Sequence, residues 1–232
     1  MANDSSMKRF TWEHGAREGT QTQLSKRRDA MNKQTVRGWL LGIVTVLLAT
    51  FTTMPAAFAG AHHVRWDIIS VVFGPPNTLN PGGVADANAP NNGGKIRLTG
   101  SGTFVAPAGL QGGSAAATGG GTWETFSPTG TSTGSGTYVV TGLVRFDLAN
   151  FQLPGNIDNI GNIAEAANGN AVLRIEYDDG SRGILGVYCH GPGAPDGIAE
   201  GISATKGFKT YVEVLAPAPG VDANRTLFHV LK

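Results

Sequence analysis

The stretch from Gly100 to Phe146 limits the possible folds more than any other, because it repeats one pattern three times. The copies are Gly100-Ser101-Gly102-Thr103-Phe104, Gly119-Gly120-Gly121-Thr122-Trp123 and Gly134-Ser135-Gly136-Thr137-Tyr138. The last runs on through Val139, Val140, Thr141, Gly142, Leu143, Val144, Arg145 and Phe146. Threonine, aromatics and valine favour a pleated strand, so each copy predicts a strand start. The glycines ahead of them let the backbone bulge, or let a neighbouring ring lie on bare main chain. Since strands and not helices follow, the glycines do not form a dinucleotide cradle.

Residues 1–30 are polar and charged, with Lys26-Arg27-Arg28 near their end, and show no apolar period. They are expected to be an over-extended or disordered N-terminus, with Met31 standing where an ordinary export signal begins. Lys33 and Arg37 then precede the apolar run Trp39 to Ala49, closed by Pro55 and Ala57-Phe58-Ala59. A basic start, a short apolar centre and a small-x-small ending predict a signal peptide over 31–59, cleaved after Ala59. The run falls short of the roughly 18–20 apolar residues of a membrane anchor. The expected product is one exported domain over 60–232, secreted or periplasmic, which meets the membrane only transiently through its signal.

That domain has 173 residues, ample for a single core. Eight of the 18 Lys+Arg and four of the 17 Asp+Glu lie ahead of Gly60, leaving ten against thirteen, a net charge of −3. No basic cluster remains to follow a phosphate backbone or an anionic membrane, which argues against nucleic-acid binding. Thirty of the 34 glycines and 11 of the 12 prolines fall in this part, so helices are interrupted and turns are frequent. The lone Cys189 cannot form an internal disulfide, and the apolar core must hold the fold unaided.

In chain order, Val64–Phe73 predicts a central strand with apolar residues on both faces. Residues 77–94 and 106–118 read as surface loops, and 127–133 as a turn. Ile160, Ile163 and Ala167 fit one helical turn ended by Asn168-Gly169. Asp179-Gly180 between two alternating apolar runs is a hairpin signal, and a two-residue loop there sets Ile175 against Ile184, Leu173 against Gly186 and Val172 against Val187. The fold expected is all-β, an antiparallel sandwich or small barrel of roughly seven to nine short strands.

Five phrases together resemble a group of small exported bacterial proteins of unassigned function: Arg65-Trp66-Asp67-Ile68-Ile69, Gly119 to Phe126, Gly134 to Phe146, Leu173 to Gly180, and Glu200 to Phe208. The resemblance implies a single β domain and brings no activity with it. Gly121-Thr122-Trp123 is similar to the G-x-W of lipocalins and avidins, where it opens the first strand of a ligand-holding barrel.

No metalloprotease, nucleophile-elbow, phosphate-loop or calcium-loop motif occurs in the sequence. Cys189 and His190 are adjacent on a strand and face opposite ways, so they cannot act as a thiol and its base. Asp67, Glu124, Asp147 and Glu176 lie on expected strands, either on a solvated face or gathered in a pocket for acid/base work. Cleavage after Ala59 would give a terminus Gly60-Ala61-His62, whose α-amine, peptide nitrogens and His62 imidazole suit square-planar Cu(II) or Ni(II). Copper titration of that terminus reads this out as a visible band. The function expected is a non-catalytic module binding an unidentified extracellular or periplasmic ligand through loops at one end of the sheet or a barrel mouth, with Trp66, Trp123, Tyr138 and Tyr188 as anchors. The alternatives are an isomerase- or hydrolase-type enzyme with a polar barrel pocket, and the Cu(II)- or Ni(II)-binding terminus; no other cofactor is expected.

Overall fold

A computed structural model describes residues 60–107 and 110–231. The expected signal over 31–59 and the N-terminal residues 1–30 lie outside the described residues. The strands are β1 (His62–Val72), β2 (Thr78–Pro81), β3 (Ala85–Asn88), β4 (Lys95–Leu98), β5 (Ser101–Ala106), β6 (Gln111–Ser114), β7 (Ala117–Phe126) and β8 (Ser132–Phe151). They continue with β9 (Ile157–Asp158), β10 (Ala166–Tyr177), β11 (Arg182–Cys189), β12 (Gly201–Lys206), β13 (Lys209–Tyr211), β14 (Glu213–Val214) and β15 (Thr226–Leu231).

Six of these strands close a barrel. Around it run β15, β1, β5, β7, β8 and β10, each antiparallel to the next, and β10 returns to β15 through Ala166 opposite His229 and Ala167 opposite Phe228. The fold is therefore a barrel and not a sandwich. Alternate strands supply the layer that fills it: Phe104 from β5, Phe146 from β8 and Phe228 from β15, with ring centroids 5.1, 5.3 and 6.5 Å apart. In a small barrel the inward side chains stack in such layers, so its interior is packed core. Trp66, Val64 and Val230 add to it and are fully or almost fully buried.

The three glycine repeats lie in β5, β7 and β8 and face one another. Gly102 stands opposite Gly119, and Trp123 opposite Gly136. A Cβ on Gly102 would sit 2.1 Å from the Thr118 carbonyl oxygen, so the glycines allow main chains to approach. Threonines pair hydroxyl to hydroxyl beside them, Thr103 of β5 with Thr118 of β7 at 2.9 Å, and Thr99, in the link from β4 to β5, with Thr122 at 2.8 Å. β8 is far longer than the short strands expected, and three register shifts against β10 let it wrap the barrel.

Outer strands extend the sheet, β11, β12 and β13 from β10, and β4, β3 and β14 from β7. Val212 alone separates β13 from β14, so one segment finishes both edges. The 77–94 region expected as a loop contains β2 and β3, with Leu79, Ala85 and Ala87 buried. Alanine carries a weak strand signal, yet here it fits between β4 and β14, while Asp86 pairs with Lys95 and Arg97. Likewise 106–118 contains β6, paired with β8.

The β10–β11 hairpin forms, one residue out of the expected register. Ile175 stands opposite Gly183, Leu173 opposite Leu185 and Val172 opposite Gly186. The loop has three residues, closed by Tyr177 N–H to Ser181 O at 2.9 Å, with Gly180 at φ +81°. Asp178 enters the loop because its carboxylate accepts the Thr137 N–H at 2.8 Å and the Trp123 indole N–H at 3.0 Å. The Thr137 N–H, then the indole, hold that carboxyl below its ordinary range. The expected helical turn is a single 3-10 turn at Ile163–Glu165, and Ala167 to Gly169 belong to β10.

Candidate functional site

Outside the filled barrel an open pocket of about 430 Å³ lies where the end of β1, the start of β15 and the loop after β11 meet. Ile69, Val71, Leu79 and Leu227 form a buried apolar floor. Phe73 on the rim is 42% exposed. The loop 190–194 forms one wall, and Gly193 reaches φ +82° there.

That wall is fastened at several points. The Asn150 amide donates to Gly193 O at 2.7 Å, the buried Asn168 accepts the Gly191 N–H at 2.7 Å, and Leu153 N–H donates to Pro192 O at 3.0 Å. Opposite, Asp222 accepts from Ser70 Oγ and from Val71 N–H at 2.5 and 2.6 Å, and Ile69 N–H donates to Arg225 O at 2.9 Å. Both sides of the pocket are thus tied to barrel strands, which gives a preformed cleft.

Three polar side chains converge on it. Glu200, just ahead of β12, accepts the Thr226 N–H at 2.6 Å through one oxygen and the His190 N–H through the other. Burial pushes its carboxyl up to about 7, against the downward pull of those two N–H groups and of Arg225. Arg225 lays its guanidinium 5.3 Å from the Phe73 ring centre, and its Nε is buried without a hydrogen-bond partner. His190 is exposed at the mouth, its Nδ1 2.9 Å from Ile198 O. An apolar floor, one cation and a carboxyl titrating near neutrality suit a small amphipathic ligand.

The four aromatic anchors expected from sequence are placed elsewhere. Trp66, Trp123 and Tyr138 are buried in the core. The Trp123 indole also lies under Lys206, whose Nζ is 4.1 Å from the ring centre, and Tyr138 Oη donates to Thr99 O at 2.8 Å. Tyr188 is half-buried and bonds Ser203 Oγ at 2.7 Å. None of the four lines the pocket. Of the three loop regions expected to line a site, 191–197 supplies a wall, and Asn77 and Leu79 come from 77–94.

Cys189 is fully buried beneath the site, donating to Thr226 O at 3.2 Å and accepting from Gln152 at 3.3 Å. Burial first, then the Glu200 charge, pushes its thiol well above the ordinary range, which disfavours the thiolate. Asp67, Asp147 and Glu176 each sit beside an arginine, Arg65, Arg145 and Arg182 in turn. Gly60 is exposed ahead of β1, and His62 opens that strand opposite Ala106. Among the described residues no group of three His, Cys, Asp or Glu side chains is placed to hold a metal.

Glu200 and Arg225 are the residues that sequence reading missed. Both flank Pro- and Gly-rich segments with no motif, and the partners of Glu200 are ten and 26 residues away in the chain. A buried pair was missed too: His229 Nε2 lies 2.7 Å from Asp158 Oδ2, with both side chains 1% exposed. Comparisons with protein-family models, curated proteins and solved structures find no match to this chain. The G-x-W tripeptide lies within β7, flanked in the barrel by β5 and β8, and does not open the first strand.

Proposed function

We propose that the domain is an exported binding module whose ligand seats in the pocket between β1, β15 and the 190–194 loop. The observation that carries this reading is the preformed cleft, where Glu200, Arg225 and His190 converge over an apolar floor while the barrel interior is occupied by its own side chains. The export half of the proposal is supported by the signal pattern of residues 31–59.

Native mass spectrometry of the exported protein, purified without denaturation, tests both halves. The expected polypeptide begins at Gly60 and retains a small molecule, and Ala194→Trp, which fills the pocket from its exposed wall, loses that molecule without loss of fold. A bare polypeptide in the unsubstituted protein, or equal retention by the variant, would count against the binding reading. A mass that includes residues 31–59 would count against export by cleavage.

The enzyme reading has one observation in its favour, the Glu200 carboxyl pushed to about 7 inside a cleft. Both its oxygens hold main-chain N–H groups, which gives it a structural duty first. Prolonged incubation separates the readings: a binding module leaves the retained molecule chemically unchanged.

A further inference from the structure

We infer that the ligand of this pocket is an organic anion, a carboxylate or similar small acid head on a compact apolar body, with the head on Arg225 and the body on Ile69, Val71, Leu79 and Leu227. This rests on the proposed binding reading and adds the chemical class.

The first argument is the state of Arg225. Arg65, Arg97, Arg145 and Arg182 each have a carboxylate within ion-pair distance. Arg225 has none among the described residues, and its buried Nε lacks any acceptor. A guanidinium offers donors in a fixed fork that matches a carboxylate, and the Arg225 side chain lines the cleft with no acceptor of its own among the described residues, which leaves that fork for a ligand. The Phe73 ring, 5.3 Å from the guanidinium carbon, attracts the cation without using its hydrogen bonds.

The second argument is what faces a ligand besides Arg225. Glu200 is the pocket's carboxyl, and both of its oxygens are already taken by the N–H groups of His190 and Thr226. Asp222, on the segment beside β1, is likewise engaged by Ser70 and the Val71 N–H. A cationic head would therefore meet no free carboxylate, whereas an anionic head meets an open fork. The floor residues Ile69, Val71, Leu79 and Leu227 are all apolar, so the body of the ligand meets no charge there.

A proton linkage follows. The groups around Glu200 are Arg225 on the approach to β15, His190 and Cys189 at the end of β11, and the Thr226 N–H. An anion bound on Arg225 disfavours a charged Glu200, so binding takes up a proton there and tightens as pH falls through about 7.

Calorimetric titration of the exported protein with octanoate, 1-octanol and octyltrimethylammonium tests the class, because the three share a body and differ in head charge. The expected result is one equivalent of octanoate bound roughly tenfold or more tighter than the other two, with affinity higher at about pH 6 than at about pH 8. Arg225→Gln should reduce octanoate affinity by about tenfold and leave octanol unchanged. If octanol or the cation binds as tightly as octanoate, the anion class falls and the pocket stands. If none of the three binds at millimolar concentration, the pocket reading falls with it. The contrast of three heads on the unsubstituted protein keeps the test decisive should Arg225→Gln fail to fold.

Discussion

At the scale of the residue, close approach and backbone freedom both select glycines in the triple repeat: Gly119 combines a φ of +116° with a Cβ position 2.3 Å from Ser101 O, whereas Gly102 is held by crowding alone. Gly102 has an ordinary φ, yet a Cβ there would lie 2.1 Å from Thr118 O and 2.7 Å from Gly119 Cα. Gly130 has a φ of +83°, but nothing lies within 4 Å of the place its Cβ would take. Chemical denaturation should therefore find Gly102→Ala destabilised by about 3 kcal/mol, at the upper end of overpacking costs, and Gly130→Ala by only about 1 kcal/mol. Equal losses would show that chain freedom and not close approach selects these glycines. The repeat was legible in sequence because Gly, Thr and an aromatic carry strong local preferences. The aromatics gave no such guide to function, since Trp66, Trp123 and Tyr138 look the same in a string whether they serve a core or a ligand, and here the rings are buried.

Among the elements, Glu200 joins the end of β11 to the start of β15, and its titration makes that junction sensitive to pH. Burial raises its folded carboxyl to about 7 from an ordinary 4.5, so the folded state holds the proton more tightly. The stability it contributes is full below the lower value and is lost as pH rises through the higher one. The unfolding free energy from urea titration, and with it the urea midpoint, should thus fall between about pH 4.5 and 7, the free energy by on the order of 2 kcal/mol, and Glu200→Gln should flatten that decline. Asp179, whose partner Lys206 draws it down to about 2, acts in the opposite sense and only below that window. A midpoint that rises over the same range would contradict the assignment. The β10–β11 hairpin shows where reading from sequence stops: Asp179-Gly180 located the turn, but the register depended on Asp178 reaching Thr137 and Trp123 on other strands. β2 and β3 were hidden for a related reason, because their alanines are apolar enough to bury and too small to announce a strand.

On the scale of the whole molecule, a six-strand barrel closed by a short β10–β15 seam carries outer strands whose two edges are finished by one segment, 209–214. An all-β antiparallel fold was readable from the spacing of strands and turns. Closure was not, since it depends on which distant strands meet. The pocket was least legible of all, assembled from residues near 69–79, 152, 190–200 and 225–227 that no window of sequence brings together. Its separation from the packed barrel interior is the central claim of the functional reading. Amide proton–nitrogen correlation spectra recorded while octanoate or 1-octanol is added test it most directly. Shifts should concentrate at Gly191, Glu200 and Thr226 and leave Phe104 and Phe146 unmoved; shifts centred on those two phenylalanines would place the ligand inside the barrel and contradict the account.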